Sequence, residues 1–133
     1  MSDTLGFDTL AIHAGTAPDP ATGARQVPIY QTTAYVFRDA DHAARLFNLQ
    51  EVGYIYSRLT NPTVSALAER ITTLEGGAGG FCCSSGHAAQ IMALFPLMGP
   101  GRNIVASTRL YGGTVQQFSN TIRKFGWSAK FVD

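Results

Sequence analysis

From Asn61 to Asp133 the chain alternates between helical and strand periodicity, and no other feature limits its fold so strongly. Asn61 is a good N-cap and Pro62 suits the first helical position. Val64, Leu67, Ala68, Ile71 and Leu74 then recur at helical spacing until Gly76-Gly77, which predicts a helix of about four turns. Residues 79–83 (Gly-Gly-Phe-Cys-Cys) read as a short buried strand, Ser84-Ser85-Gly86 as a tight turn, and His87 to Met98 as a second helix. That helix is apolar nearly all round, so packing on several of its sides is expected. Asn103-Ile-Val-Ala106 reads as a strand and Leu110-Tyr-Gly-Gly113 as a loop. Val115, Phe118, Ile122 and Phe125 mark one face of a third helix closed by Gly126, and Ala129 to Val132 a last strand. Helices and strands in this order predict right-handed crossovers and a mostly parallel sheet with helices on its faces, so the class is α/β. Such a sheet needs cover on its faces and edges. The chain stops at Asp133 on a strand end, and further residues are expected beyond it.

Ahead of this region, residues 1–38 carry turn chemistry, His13-Ala-Gly15 and then Ala17-Pro-Asp-Pro-Ala-Thr-Gly23, followed by PIYQTTAYVF, rich in β-branched and aromatic residues. They read as an extended arm. Asp39 caps an expected short helix through Leu49, with Ala43, Leu46 and Phe47 on one side and Gly53 breaking the pattern beyond it. Two regions result: an arm with a short helix over residues 1–60, and the start of an α/β domain over 61–133. The 133 residues suffice for one ordinary domain. Charged residues make up 14%, well below the roughly 25% typical of soluble domains, so much of the surface is expected to be covered.

Several function classes drop out. A net charge of +1, with ten scattered Lys and Arg, leaves no basic stripe for nucleic acid. Cys82 and Cys83 are adjacent, a spacing that suits neither a disulfide framework nor a zinc site, and they read as part of a buried strand in a reducing cytosol. No metal is expected. The N-terminus has no basic segment followed by an apolar run, and the longest apolar stretch, near residues 91–98, is too short for a bilayer. A cytoplasmic protein without membrane contact is expected.

In open parallel sheets, ligands settle beyond the carboxyl ends of the strands, where helix N-termini present free N–H groups and partial positive charge. Two loops fall there. Ser84-Ser85-Gly86-His87 offers a capping serine and a glycine that lets the backbone approach an anion, which suits a phosphate cup or, equally, an ordinary strand-to-helix connection. Leu110-Tyr111-Gly112-Gly113 can present the face of Tyr111 to a flat aromatic ligand, or simply pack that ring. The run from Gly76 to Gly80 precedes its strand and fails the dinucleotide fingerprint, the lysine-bearing phosphate loop is absent, and neither Ser84 nor Ser85 sits in a hydrolase elbow. Upstream, YIYSRLTNPT at 54–63 puts Tyr54, Tyr56 and Arg58 on one face if the chain is extended. An arginine fork beside a phenol would clamp a phosphate dianion, the alternative being a solvent-facing pair on an edge strand.

The combination of YSRLTNPT, SSGHAA about thirty residues later and LYGGT resembles the Cys/Met metabolism family of pyridoxal-phosphate enzymes of fold type I. His13-Ala-Gly15, PIYQTT at 28–33 and FVD at 131–133 extend the likeness through nearly the whole chain. Within the family, FNLQEVGYIYSR at 47–58 is most similar to the O-acetylhomoserine sulfhydrylases. The resemblance implies pyridoxal 5′-phosphate as cofactor, with Tyr56 and Arg58 reaching the cofactor phosphate of a neighbouring subunit in a homo-oligomer, a dimer or tetramer. It implies that Gly86 and His87 hold the same phosphate through backbone N–H groups, and that Tyr111 stacks on the pyridine ring and assists proton transfer. His87 departs from the methionine or glutamine usual at its position, a change that a backbone contact tolerates.

The reaction so implied is replacement of acetate on O-acetylhomoserine by sulfide or a thiol, toward homocysteine and methionine. The family's Schiff-base lysine is expected beyond residue 133, because Lys124 and Lys130 are the only lysines and Lys124 suits the last turn of a helix. The 133 residues by themselves are therefore expected to be inactive. A cystathionine γ-synthase or methionine γ-lyase of the same family would share every residue named. A non-catalytic α/β module binding a phosphorylated ligand or a protein is the remaining alternative.

Overall fold

The computed structural model describes residues 5–133, which divide into two compact units at Cys82/Cys83. The first unit holds three helices: α1 (Phe7–His13), α2 (Ala40–Phe47) and α3 (Pro62–Leu74). Helix α1 was not legible as a helix, since residues 1–38 read as extended chain. With seven residues it is too short to persist alone, and it forms against α3. The Arg70 Nε donates to the Ala14 carbonyl at 2.9 Å. Gly15 leaves the helix at φ +69°, and a side chain there would run into the Ala66 carbonyl of α3. Both the left-handed backbone and the close approach require glycine.

Helix α2 begins where expected: the Asp39 carboxylate accepts from the His42 N–H at 2.6 Å, a bond that holds its pKa below the ordinary aspartate value. Leu46 is the buried residue of this helix. Arg38 and Arg45 converge on Glu51, each at 2.9 Å, tying the two sides of α2 to the loop behind it. Helix α3 is capped by the Asn61 side chain, which accepts from the Thr63 N–H. In front of it, residues 33–35 and 55–57 run antiparallel, with Tyr35 N–H donating to the Ile55 carbonyl and Ser57 N–H to that of Thr33.

The second unit contains α4 (Gly86–Leu94), β1 (Asn103–Ser107), α5 (Gly112–Ser119), a 3-10 turn (Thr121–Phe125) and β2 (Ser128–Val132). The two strands pair in parallel, Asn103 opposite Ser128 through to Ser107 opposite Val132, as the α/β order requires. Ala106, Phe118, Ile122 and Trp127 form the core, with Ile122 fully enclosed, and Ile91, Leu94, Met98 and Phe131 pack around them. Phe95, Phe125 and Trp127 close one end, the latter two rings 5.1 Å apart.

Four local expectations are corrected. Residues 79–83 form no strand: no backbone ladder bond reaches them among the described residues, and strand geometry persists only where a neighbour supplies those bonds. Cys82 and Cys83 are accordingly half-buried free thiols, not members of a buried strand. Helix α4 ends at Leu94 and leaves Met92 and Phe95 exposed, so it is not covered on every side within this chain. The third helix breaks at Asn120, where the chain tightens to the 3-10 turn and drives Ile122 into the core. No described helix is long and apolar enough to cross a membrane.

Candidate functional site

The loop before α4 folds as a helix tip open to an anion. Ser85 sits in extended backbone and its Oγ accepts from the Ala88 N–H at 3.2 Å, while the Ala89 N–H donates to the Ser85 carbonyl. The Gly86 and His87 amides precede the first helical hydrogen bond and meet no acceptor among the described residues. A side chain at Gly86 would touch nothing within 4 Å, so the space beside this residue is open.

Helix α5 brings the second loop to this tip. Gln117, buried, donates from Nε2 to the His87 carbonyl at 3.0 Å, and Gln90 donates to the hydroxyl of buried Thr114 at 2.9 Å. These bonds fasten the first turn of α4 to the second turn of α5, and the second turn of α4 to the first turn of α5. Neither glutamine was singled out from the sequence. Polar residues at buried positions of a short helix were the available signal. Tyr111 immediately precedes α5, and its ring lies 6.1 Å from that of His87 at an angle of 37°. It is 76% exposed, free to cover a flat ligand. Gly113 stands between them: a methyl group there would come within 2.8 Å of both rings, so the two can converge only over a glycine. An open cavity of about 480 Å³, lined by His87, Ile91, Gly113 and Gln117, continues from this point. The second unit thus gathers Gly86, His87 and Tyr111, separated by up to 25 positions in sequence, at one edge.

Tyr56 and Arg58 lie in the first unit and reach their arrangement by a route the sequence did not predict. Tyr56 is bridged to Ala34 in an antiparallel pair. Beyond it the backbone turns, with the Leu59 and Thr60 N–H groups both donating to the Tyr56 carbonyl at 2.8 and 3.0 Å. Tyr54, Tyr56 and Arg58 therefore do not share a strand face; Tyr54 packs its ring against Tyr35. The turn instead folds Arg58 back, so that its guanidinium carbon stands 5.0 Å from the centre of the Tyr56 ring, a cation–π distance. Arg58 forms no hydrogen bond or ion pair among the described residues, whereas Arg38 and Arg45 are both engaged with Glu51. No cluster of metal-ligating side chains occurs among the described residues.

An α/β unit with two free amides at a helix tip, and an aromatic face beside them, has room and donors for an anionic group attached to a flat ring. The chain belongs to the Cys/Met metabolism family of PLP-dependent enzymes, whose sequence profile matches residues 8–133. It is 52% identical over 128 residues to O-acetyl-L-homoserine sulfhydrylase 1 of Thermus thermophilus, covering 96% of this chain and 30% of that protein. It is 54% identical over 127 residues to the homocysteine synthase of Schizosaccharomyces pombe, with the same two coverages. A crystal structure from Campylobacter jejuni, assigned as an O-acetylhomoserine (thiol)-lyase and containing a pyridoxyl-lysine phosphate, superposes with a TM-score of 0.90 at 45% identity. That match covers 97% of this chain and 32% of the other. The chain thus spans about 30% of the length of the curated relatives it matches. Its fold is part of the fold type I α/β architecture of these enzymes. The donors at the α4 tip and the open face of Tyr111 fit the phosphate and the ring of pyridoxal 5′-phosphate.

Proposed function

We propose that the protein to which this chain contributes is a pyridoxal-phosphate-dependent transferase that exchanges the acetate of O-acetyl-L-homoserine for sulfide or a thiol. The carrying observation is the α4 tip, where the free Gly86 and His87 amides stand beside the exposed ring of Tyr111. The names of the relatives more than half identical to the chain support the substrate.

When bound, the coenzyme supplies an electron sink for carbon centres next to the substrate amine. The chain's own residues hold and orient it. Gly86 and His87 donate their N–H groups to the phosphate, where the helix N-terminus favours negative charge. Tyr111 would lay its exposed ring on the pyridine, and its hydroxyl is a group able to take or return a proton. Tyr56 and Arg58, carried on the arm of residues 1–60, reach the phosphate bound by a neighbouring copy, making the protein a dimer or tetramer with shared sites. A guanidinium with no hydrogen-bond or ion-pair partner among the described residues is suited to that role. Free vicinal thiols at Cys82 and Cys83 accord with a cytoplasmic location.

Acetate release from O-acetyl-L-homoserine, followed with sulfide, with cysteine and with no acceptor, tests this reading of the holoenzyme. Sulfide-dependent release with homocysteine as product is expected. Turnover only with cysteine, or elimination without an acceptor, would replace it with another activity of the family.

A further inference from the structure

Asn61 is 7% exposed, and its side chain makes more bonds than a helix cap needs. Its Oδ1 accepts from the Thr63 N–H at 2.9 Å, which caps α3. Serine, threonine or aspartate would supply such an acceptor equally well. The Nδ2 group has a separate use: it donates to the Tyr30 carbonyl at 2.9 Å and to the Ser57 hydroxyl at 3.0 Å. Ser57 opens the turn that carries Arg58. Its hydroxyl donates onward to the Thr32 carbonyl, and its N–H donates to that of Thr33 at 2.9 Å. Thr63 repeats the pattern one step along, donating to the Pro28 carbonyl and accepting from the Tyr30 N–H. The base of the turn is thus bonded to residues 28–33 and to the start of α3, while Arg58 at its tip is exposed and free.

We propose that Asn61 is a positioning residue for the Tyr56–Arg58 pair: its carboxamide protons lock the 57–60 turn so that the guanidinium is presented, already placed, to a phosphate dianion. A clamp held in its binding geometry before the ligand arrives loses less freedom on binding, and that gain appears as affinity. This inference rests on the reading that Arg58 binds coenzyme phosphate.

Asn61→Asp tests it, because the variant keeps the capping oxygen and the shape but lacks both donated protons. Asn61→Ser and Ser57→Ala cut the same connection with no added charge and serve if the aspartate variant does not fold. Apoenzyme is titrated with pyridoxal 5′-phosphate by absorbance, and with pyridoxal, which lacks the phosphate. Arg58→Ala is expected to raise the dissociation constant of pyridoxal 5′-phosphate about ten-fold or more, and Asn61→Asp by about three- to ten-fold, the range for a charge-assisted bond weakened but not removed. Pyridoxal binding should change in neither. In the Arg58→Ala background the Asn61→Asp effect should vanish, since positioning has nothing left to act on.

Lower melting temperatures with unchanged coenzyme affinity would make Asn61 a structural residue alone and overturn the inference. So would an Asn61 effect that persists without Arg58, or one equally large for pyridoxal. If Arg58→Ala itself leaves the affinity for pyridoxal 5′-phosphate unchanged, the clamp fails and the positioning role falls with it.

Discussion

Residues 5–82 and 83–133 are held together by different chemistry. In the second unit, Ile122, Trp127, Phe118 and Ala106 form a buried apolar cluster, and the residues contributing to it are close in sequence. In the first, Leu46 is the buried apolar residue, and long-range order comes from hydrogen bonds: Asn61 to Tyr30 and Ser57, Thr63 to Pro28, Arg70 to Ala14. An apolar core tolerates exchange of one methyl-rich side chain for another but suffers from a void. A hydrogen-bonded scaffold is specific in direction, and it fails when one partner is left unsatisfied. The second unit presents its amides on a packed base, while the first presents Arg58 on a bonded turn.

The comparison is broken most severely at the apolar core. Trp127→Ala, which empties a site 4% exposed against Phe125 and Phe95, is expected to cost about 3–5 kcal/mol, and hydrogen exchange of β1 and β2 should accelerate far more than that of α3. Equal acceleration in both units would mean that they do not differ in the way described. In the first unit Gly15→Ala forces a left-handed backbone on a side chain and pushes against α3, which should cost roughly 1–3 kcal/mol and loosen α1 selectively. Circular dichroism across a urea series measures the loss, and an unchanged midpoint would refute the close contact.

The smallest effect concerns Glu51. The hydrogen bond from Arg45 holds its carboxyl below the ordinary glutamate value against the opposing effect of desolvation, with the charges of Arg38 and His42 adding to the lowering. A folded pKa below the unfolded one stabilises the protein above the unfolded value, about 4.3, and that contribution fades as pH falls through the lowered folded value. Glu51→Gln should therefore flatten the acid side of the stability profile slightly and leave the profile near neutrality almost unchanged, because exposed ion pairs contribute little. A profile identical to that of the wild type below pH 5 would show that the Arg45 contact has no energetic consequence.

Much of this organisation was legible before the fold. Asn61-Pro62 and Asp39 announced their helices because a capping side chain and a fixed φ act within a few residues. The parallel pairing of Asn103–Ser107 with Ser128–Val132 followed from the helix between them. Gly86, His87 and Tyr111 lie together as expected, although only the Tyr111 loop follows a strand; the strand expected before Gly86 does not form among the described residues. What was not legible depended on partners distant in sequence. Helix α1 exists through α3, and residues 79–83 lack the neighbour that a strand requires. Tyr56 and Arg58 do not share the strand face that extended alternation suggested; a turn closed on the Tyr56 carbonyl brings them together instead.

By itself, then, the sequence determined the caps, the helical and strand periods, the α/β order and the family, because each of these is written in residues near one another or in a motif of set spacing. Tertiary structure alone decided that a glycine at 113 lets two rings converge, that Gln117 of α5 ties itself to the first turn of α4, and that Asn61 reaches back to residues 30 and 57. Those choices depend on which groups remain without a hydrogen-bond partner once the chain has packed, and a linear pattern holds no record of that.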